Sequence, residues 1–196
     1  MRLSNKVCIV TGGGQGIGEA ICRTLAAEGG TVVVADLRLE AAEAVAEDIG
    51  RNGGQAMALK VDVTVREEVE QMVQKTVQSL GRIDVLVNNA GWDKVEPFLE
   101  SKEETWDKIL AINLKGVFYT CHAVLPVMIQ QQSGKIINIG SDAGRVGSSG
   151  EAVYAAAKGG VIAFSKTLAR EMARYRINGK VVSPGSADTP LFQEIS

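Results

Sequence analysis

One histidine, four prolines and three cysteines are a thin supply of special chemistry for a chain of 196 residues. With His122 alone, no histidine-clustered metal site can form, and its place inside a helical stretch marks it as a packed or surface residue. Cys8, Cys22 and Cys121 are odd in number and far apart, without CxxC or metal-ligand spacing. They read as small buried apolar residues in a reducing compartment. Net charge is scarce too: the formal balance of −2 offers no attraction to nucleic acid or to a membrane surface. The first apolar run, "VCIV", is short and leads straight into glycines, unlike a signal peptide. No apolar run is expected to reach the roughly 20 residues that span a bilayer. "GSSG" is not the G-x-S-x-G of a nucleophile elbow. These absences predict a soluble cytoplasmic protein that needs no metal.

Glycine, by contrast, is abundant, and its 22 residues cluster in "TGGGQGIG", "RNGG", "NNAG" and "RVGSSG". Such clusters lie where backbone turns tightly or approaches a ligand. Between them, short apolar runs alternate with helical patterns. "KVCIVTG", "TVVVAD", "QAMALKVDVT", "IDVLVNNAG", "KIINIGS" and "KVVSPGS" read as strands. Helical spacing follows Ile17, Ile21 and Leu25, then Leu39 to Ile49, Val65 to Leu80, an interrupted stretch from about Glu103 to Gln131, and Glu151 to Tyr175. Strands apolar at consecutive positions are buried on both faces, as in a parallel sheet covered by helices. Six such alternations with right-handed crossovers predict an α/β doubly wound sheet of order 3-2-1-4-5-6, a single domain over residues 1–196. Ligands then bind beyond the carboxyl ends of the strands, where the glycine clusters at Gly12 to Gly18 and Asn88 to Gly91 and the Pro184-Gly185 turn all fall.

"TGGGQGIG" follows the first strand and opens the first helix, with Gly12, Gly16 and Gly18 in the pattern G-x-x-x-G-x-G. This is a relative of the dinucleotide fingerprint. Gly12 permits the turn, Gly16 lets pyrophosphate reach the backbone beside Gln15 and Ile17, and Gly18 lets the helix close on the sheet. Phosphate then sits at the positive helix end. Asp36, 18 residues beyond Gly18, ends the second strand where a carboxylate accepts hydrogen bonds from a ribose and repels a 2′-phosphate. NAD is therefore expected over NADP, with Arg38 close enough to soften the preference. Asp62 meets the adenine edge or caps the following helix, two compatible roles, and Val63 packs beside the ring. Asn89, Ala90 and Gly91 border the same cofactor.

"EAVYAAAKGG" sets Tyr154 and Lys158 four residues apart, on one face of a helix, among residues with almost no side chain. A packed tyrosine beside a solvated lysine is the plain alternative to an acid–base pair. A tyrosine acting near neutrality needs its pKa lowered by about 2–3 units, ~3–4 kcal/mol. A positive charge at roughly 4 Å with an effective dielectric near 20 provides ~4 kcal/mol. The expectation is that Lys158 supplies this shift without a metal.

"TGGGQGIG", "NNAG", a serine after the fifth strand, "YAAAK" and "SPG", in this order, resemble the short-chain dehydrogenase/reductase family over essentially the whole chain. The resemblance implies a catalytic set of Asn113, Ser141, Tyr154 and Lys158. Tyr154 exchanges the hydroxyl proton while hydride moves to or from nicotinamide. Ser141 holds the substrate oxygen, and Asn113 anchors a water linking Lys158 to solvent. Thr189 and the backbone around Ala187 hold the nicotinamide carboxamide by the same analogy, and Pro184 and Gly185 also border the cofactor. Family reductases that use NADP carry a basic residue where this chain has Gln15.

"NNAGWD" and "SDAGRVGSSGEAVYAAAKGG" are more distinctive. They resemble members that oxidise cyclic β-hydroxyacyl-CoA thioesters such as 2-hydroxycyclohexanecarboxyl-CoA, in aromatic compound degradation. Trp92, Asp142, Arg145 and Glu151 are the expected substrate contacts beside Ser141. A 3-oxoacyl-carrier-protein reductase is the alternative activity, and a non-catalytic nucleotide-binding fragment or regulatory protein the alternative of another class. The family is tetrameric, which implies a homotetramer paired through the helix ending near Gln131 and the Tyr154 helix. Members usually continue for a few dozen residues beyond the position of Ser196 and add a seventh strand, expected to be missing here. Gly179 and Lys180, where the family has an apolar residue and asparagine, are expected to disturb the sixth strand.

Overall fold

Alternate residues of a strand point to opposite faces, so the run Val7–Thr11 feeds two cores at once. Val7 and Ile9 enter one apolar cluster, Cys8 and Val10 the other. The computed structural model, which describes residues 1–185, builds this strand, β1, into the centre of a six-stranded sheet. Its companions are β2 (Thr31–Asp36), β3 (Gln55–Lys60), β4 (Val85–Asn88), β5 (Gly134–Ile139) and β6 (Ile177–Val182). All pair in parallel, in the order β3-β2-β1-β4-β5-β6. Strand order reverses between β1 and β4, so the loops after these two strands flank a crevice at their carboxyl ends.

Helices α1 (Gly16–Ala27) and α2 (Leu39–Arg51) cover one face through Cys22, Ala26, Ala42, Val45 and Ile49. The other face is covered by α3 (Arg66–Leu80), α5 (Gly116–Gln131) and α7 (Ala152–Met172), through Val69, Met72, Val73, Val124, Met128 and Val161. Two shorter helices, α4 (Glu103–Leu110) and α6 (Ala143–Val146), sit by the crevice.

The interruption expected within 103–131 is a π-helical turn, Ala111–Lys115, between α4 and α5. The stretch Glu103–Gln131 does have the length and mean hydropathy (1.3) to cross a bilayer, a correction to the expectation that no run approaches that length. It is a core helix: Val117, Cys121, Val124 and Met128 are sealed against the sheet. All three cysteines are buried, and burial pushes their thiols up to about 12. His122 is exposed on α5.

The doubt about β6 is corrected as well. Gly179 pairs with Ile136 in unbroken register, and a Cβ there would come within 3.1 Å of the Ala169 Cβ. The missing side chain lets α7 lie close to the strand, while Lys180 points to solvent.

Behind the crevice a buried polar chain ties four elements together. The Thr120 hydroxyl donates to the Asn88 Oδ1 (2.6 Å), the Asn88 amide to the Asn138 Oδ1 (2.8 Å), and the Asn138 amide to the Ser165 hydroxyl (2.7 Å). Each member is within a few per cent of full burial. Asn138→Ala removes two of these bonds and leaves the Asn88 amide without its best acceptor. The expected loss is about 3 kcal/mol of unfolding free energy, read from the urea midpoint at unchanged slope.

Candidate active site

The crevice is a cavity of about 1000 Å³. At one end lies the loop between β1 and α1. Gly12 (φ +62°) and Gly16 (φ +56°) hold left-handed backbone that a side chain would strain. Gly18 closes on the loop itself rather than on the sheet: its Cβ would fall 2.0 Å from the Gly12 carbonyl oxygen and 2.5 Å from the Asn89 Nδ2. The Asn89 amide donates to the carbonyls of Thr11 and Gly12 (3.1 and 3.0 Å). The Thr11 hydroxyl accepts the N–H groups of Asn89 and Ala90 (3.1 and 3.2 Å). Asn89, read as a cofactor contact, thus also laces the glycine loop to the end of β4. Thr11 escaped the sequence reading because a threonine at a strand end carries no pattern of its own.

Asp36 is nearly buried at the tip of β2. Its Oδ2 accepts the Gly14 N–H (2.9 Å) and its Oδ1 the Arg38 N–H (3.0 Å), so the carboxylate stays on the cavity wall as a fixed negative charge. Arg38 donates to the Gln15 side chain. The Asp62 Oδ1 accepts from the Thr64 N–H and hydroxyl (2.8 and 2.7 Å). It closes the turn ahead of α3 instead of capping the helix, whose flanking residue is Val65. Ile17, Val63, Gly91, Pro184 and Gly185 also line the cavity. Ala187 and Thr189 lie outside the described residues. Positive-φ glycines, a helix N-terminus facing open space and an acidic residue at the β2 tip together fit a dinucleotide.

The other end of the cavity gathers Ser141, Tyr154 and Lys158. α7 brings the last two onto one face, with the Lys158 Nζ 5.5 Å from the centre of the Tyr154 ring. Lys158 is only 4% exposed, and its Nζ donates to the Ile139 carbonyl (2.9 Å). The two neighbouring glycines serve the backbone. A Cβ on Gly144 would lie 2.7 Å from the Gly159 nitrogen, and one on Gly160 would touch Leu114 at 3.2 Å. The small residues around the pair therefore seat α6 and the π turn on α7. Ser141 accepts the Ala143 N–H (3.1 Å), which fixes its hydroxyl at the end of β5.

The expected electrostatics need correction. Tyr154 is pushed up, to about 12, by burial first and by the carboxyls of Asp93 and Glu151, with the Ser141 hydroxyl pulling the other way. Lys158 is pushed down to about 8 by burial, against the pull of Asp93. Desolvation penalises both charged forms, so the lysine alone does not turn this tyrosine into a base at neutrality. Phenol and ammonium are the resting states at pH 7.

Asn113, fully buried in the π turn, spends its side chain on backbone. Its amide donates to the carbonyls of Trp92 (2.6 Å) and Ile109 (2.9 Å), and its Oδ1 accepts the Trp92 N–H (3.3 Å). It holds the loop after β4 in place. Trp92 lines the cavity with the Lys108 ammonium 3.7 Å above its ring. Asp142 and Glu151 also line it, but Arg145 does not. That residue pairs with Asp142 (3.1 Å) on the solvent side of α6, because a four-residue helix turns it away from Ser141. The site residue that sequence reasoning missed is Asp93, 2% exposed on the cavity wall. An aspartate beside Lys94 in a loop looks solvated.

Residues 6–196 match a family model described as short chain dehydrogenase. The chain is 40% identical over 195 residues to a 3-oxoacyl-acyl-carrier-protein reductase of Thermotoga maritima, covering 100% of this chain and 79% of that protein. Among solved structures, an NAD⁺-bound xylitol dehydrogenase superposes with a TM-score of 0.92 at 36% identity, over 94% of this chain and 72% of the other. A levodione reductase superposes with a TM-score of 0.95 at 35% identity, over 98% and 76%.

Proposed function

The chain belongs to the short-chain dehydrogenase/reductase family, oxidoreductases of CH–OH groups, and from that premise we propose that it interconverts a β-hydroxyacyl and a β-ketoacyl thioester with NAD. The observation that carries the reading is one continuous cavity with glycine-loop residues and Asp36 at one end and Ser141, Tyr154 and Lys158 at the other. The bound dinucleotide supplies or accepts the hydride. Tyr154 passes its phenolic proton to the carbonyl oxygen as the carbon takes hydride, and Ser141 hydrogen-bonds that oxygen. Lys158, when charged, stabilises the phenolate left behind. In oxidation each transfer runs in reverse. A phenol held up to about 12 is protonated at pH 7, the form from which reduction starts, and the reductase named among the relatives supports that direction.

A cyclic 2-hydroxyacyl-CoA and a 3-oxoacyl carrier-protein thioester share one reacting unit, a carbon β to the thioester carbonyl. The relative favours the linear carrier-protein form. The cyclic reading keeps one observation in its favour: the Trp92 indole lines the cavity, a surface that suits a ring. The choice of NAD rests on the Asp36 carboxylate, held where a 2′-phosphate would lie. We infer a cytoplasmic enzyme from the core position of α5 and three buried thiols. A tetramer paired through α5 and α7 is supported by Phe118, 39% exposed, its ring tilted against that of Phe164 with centres 4.7 Å apart.

The test follows nicotinamide absorbance with acetoacetyl thioesters and NADH or NADPH, and with 2-hydroxycyclohexanecarboxyl-CoA and NAD. Turnover of the acetoacetyl thioester with NADH is the expected result. Turnover confined to the cyclic substrate would reverse the ranking, and none with any thioester would overturn the substrate class. Asp36→Ala is expected to lower kcat/KM for NAD by roughly tenfold or more, one to two hydrogen bonds' worth, and to raise relative use of NADP. An unchanged NAD/NADP ratio would remove Asp36 from cofactor selection.

A further inference from the structure

The Asp93 carboxylate is enclosed, and neither of its oxygens has a hydrogen-bond partner among the described residues. Bare buried carboxylates are costly, so the groups facing it matter. Its segment is tied to the turn before α7: the Glu96 N–H donates to the Gly150 carbonyl (2.9 Å), and Gly150, at φ +81°, leaves room for Val95. This clamp brings the Asp93 loop to the wall that carries Glu151, three residues ahead of Tyr154, and the two carboxyls line one cavity. The cations nearby are engaged elsewhere. The Lys94 ammonium binds Glu96 (2.6 Å), Lys108 covers Trp92, and Lys158 donates to Ile139. Two ionised carboxylates would then face each other with no side-chain donor between them, only the Lys94 backbone N–H beside Asp93.

We propose that Asp93 and Glu151 share one proton across the wall of the cavity, and that the charge of this pair sets where Tyr154 and Lys158 titrate. Asp93 is raised to about 7, by burial first and then by the Glu151 carboxyl, with the Lys94 N–H and the Lys158 ammonium pulling the other way. When the pair loses its proton, the added negative charge holds Lys158 as ammonium and Tyr154 as phenol. When the proton is present, the phenolate forms more easily. Asp93 is a positioning residue, acting through the dyad and not on substrate. The second half of the inference rests on Tyr154 as the acid–base group.

Carbon-13 NMR of the ligand-free protein, labelled at aspartate and glutamate carboxyl carbons, reads the pair without turnover. The expected result is one carboxyl titrating near neutrality, absent in Asp93→Asn. In Glu151→Gln the Asp93 titration moves to lower pH, because an amide donates to the anion. An Asp93 carboxyl in the ordinary carboxylate range overturns the shared proton. In kinetics, Asp93→Asn is expected to move the phenol limb of both reaction directions down together, by roughly one unit, a tenfold gain in phenolate at fixed pH. A merely structural role would scale the rates and leave the limb in place, which overturns the coupling. A Tyr154→Phe variant with full turnover would strike the catalytic reading and the coupling with it, leaving the carbon titration as the test of the pair alone.

Discussion

Tyr154→Phe is expected to lower kcat by about a thousandfold or more while dinucleotide affinity stays within about threefold. Phenylalanine keeps the ring in its half-buried place on α7 and removes only the group that moves the proton. No neighbour can replace it. The Ser141 hydroxyl accepts the Ala143 N–H, the Asp93 oxygens are buried, and Lys158 donates to the Ile139 carbonyl. A proton would then have to come from water, without the positioning that an enzyme provides. Equilibrium binding of the reduced dinucleotide by fluorescence, beside single-turnover rates, separates the two quantities. Retention of most of the rate would mean that the proton travels by a route that bypasses α7.

The pH dependence sharpens that test. Burial brings Lys158 down to about 8, so its positive charge is present below that pH and lost as pH rises through it. Donation from Tyr154 leaves a phenolate, which the neighbouring cation stabilises. Ketone reduction by the wild type should therefore fall as pH climbs past about 8, whereas the residual rate of Tyr154→Phe should show no such limb. The limb reports the Lys158 charge acting on the Tyr154 phenolate, so the variant that loses the rate should lose the limb with it.

The sheet was legible because β-branched runs such as "TVVVAD" and "VCIV" have no other stable use than a two-sided core, and the glycines mark where each strand ends. The nucleotide loop was legible because the left-handed backbone at Gly12 and Gly16 favours glycine. Tyr154 and Lys158 were found by spacing, but their titration was not, since it depends on what burial and the nearby carboxyls do in three dimensions. Asp93 and Glu151 lie 58 positions apart in sequence, and no local pattern announces that the clamp through Glu96 and Gly150 makes them neighbours. Arg145 failed in the opposite sense. Its nearness to Ser141 in sequence implied a contact that the direction of α6 denies. Asn113 was expected to anchor a water, and its side chain instead bonds the backbone of Trp92 and Ile109, a contact that no sequence pattern announces.

Gly18→Ala is the second substitution of large expected effect, and one methyl group carries all of it. The new Cβ would stand 2.0 Å from the Gly12 carbonyl oxygen and 2.5 Å from the Asn89 amide nitrogen, far inside van der Waals contact. Neither neighbour is free to yield. Gly12 is held in left-handed backbone and its carbonyl is bound by the same Asn89 amide, which also anchors Thr11 at the end of β1. Relief therefore requires α1 to back away from the loop, pulling its N-terminal N–H groups out of the cavity and opening the core around Cys22. The expected outcome is a loss of about 3 kcal/mol in stability and at least a hundredfold loss in dinucleotide affinity, read by calorimetry on folded protein. Gly50→Ala is the matched control. It sits near the end of α2 with nothing within 4 Å of the added carbon, so the same substitution should stabilise by about 0.5–1 kcal/mol through helix propensity. Opposite signs from one chemical change would locate the effect in the contact between Gly18, Gly12 and Asn89. Equal signs would mean that the glycine loop is looser than its hydrogen bonds imply.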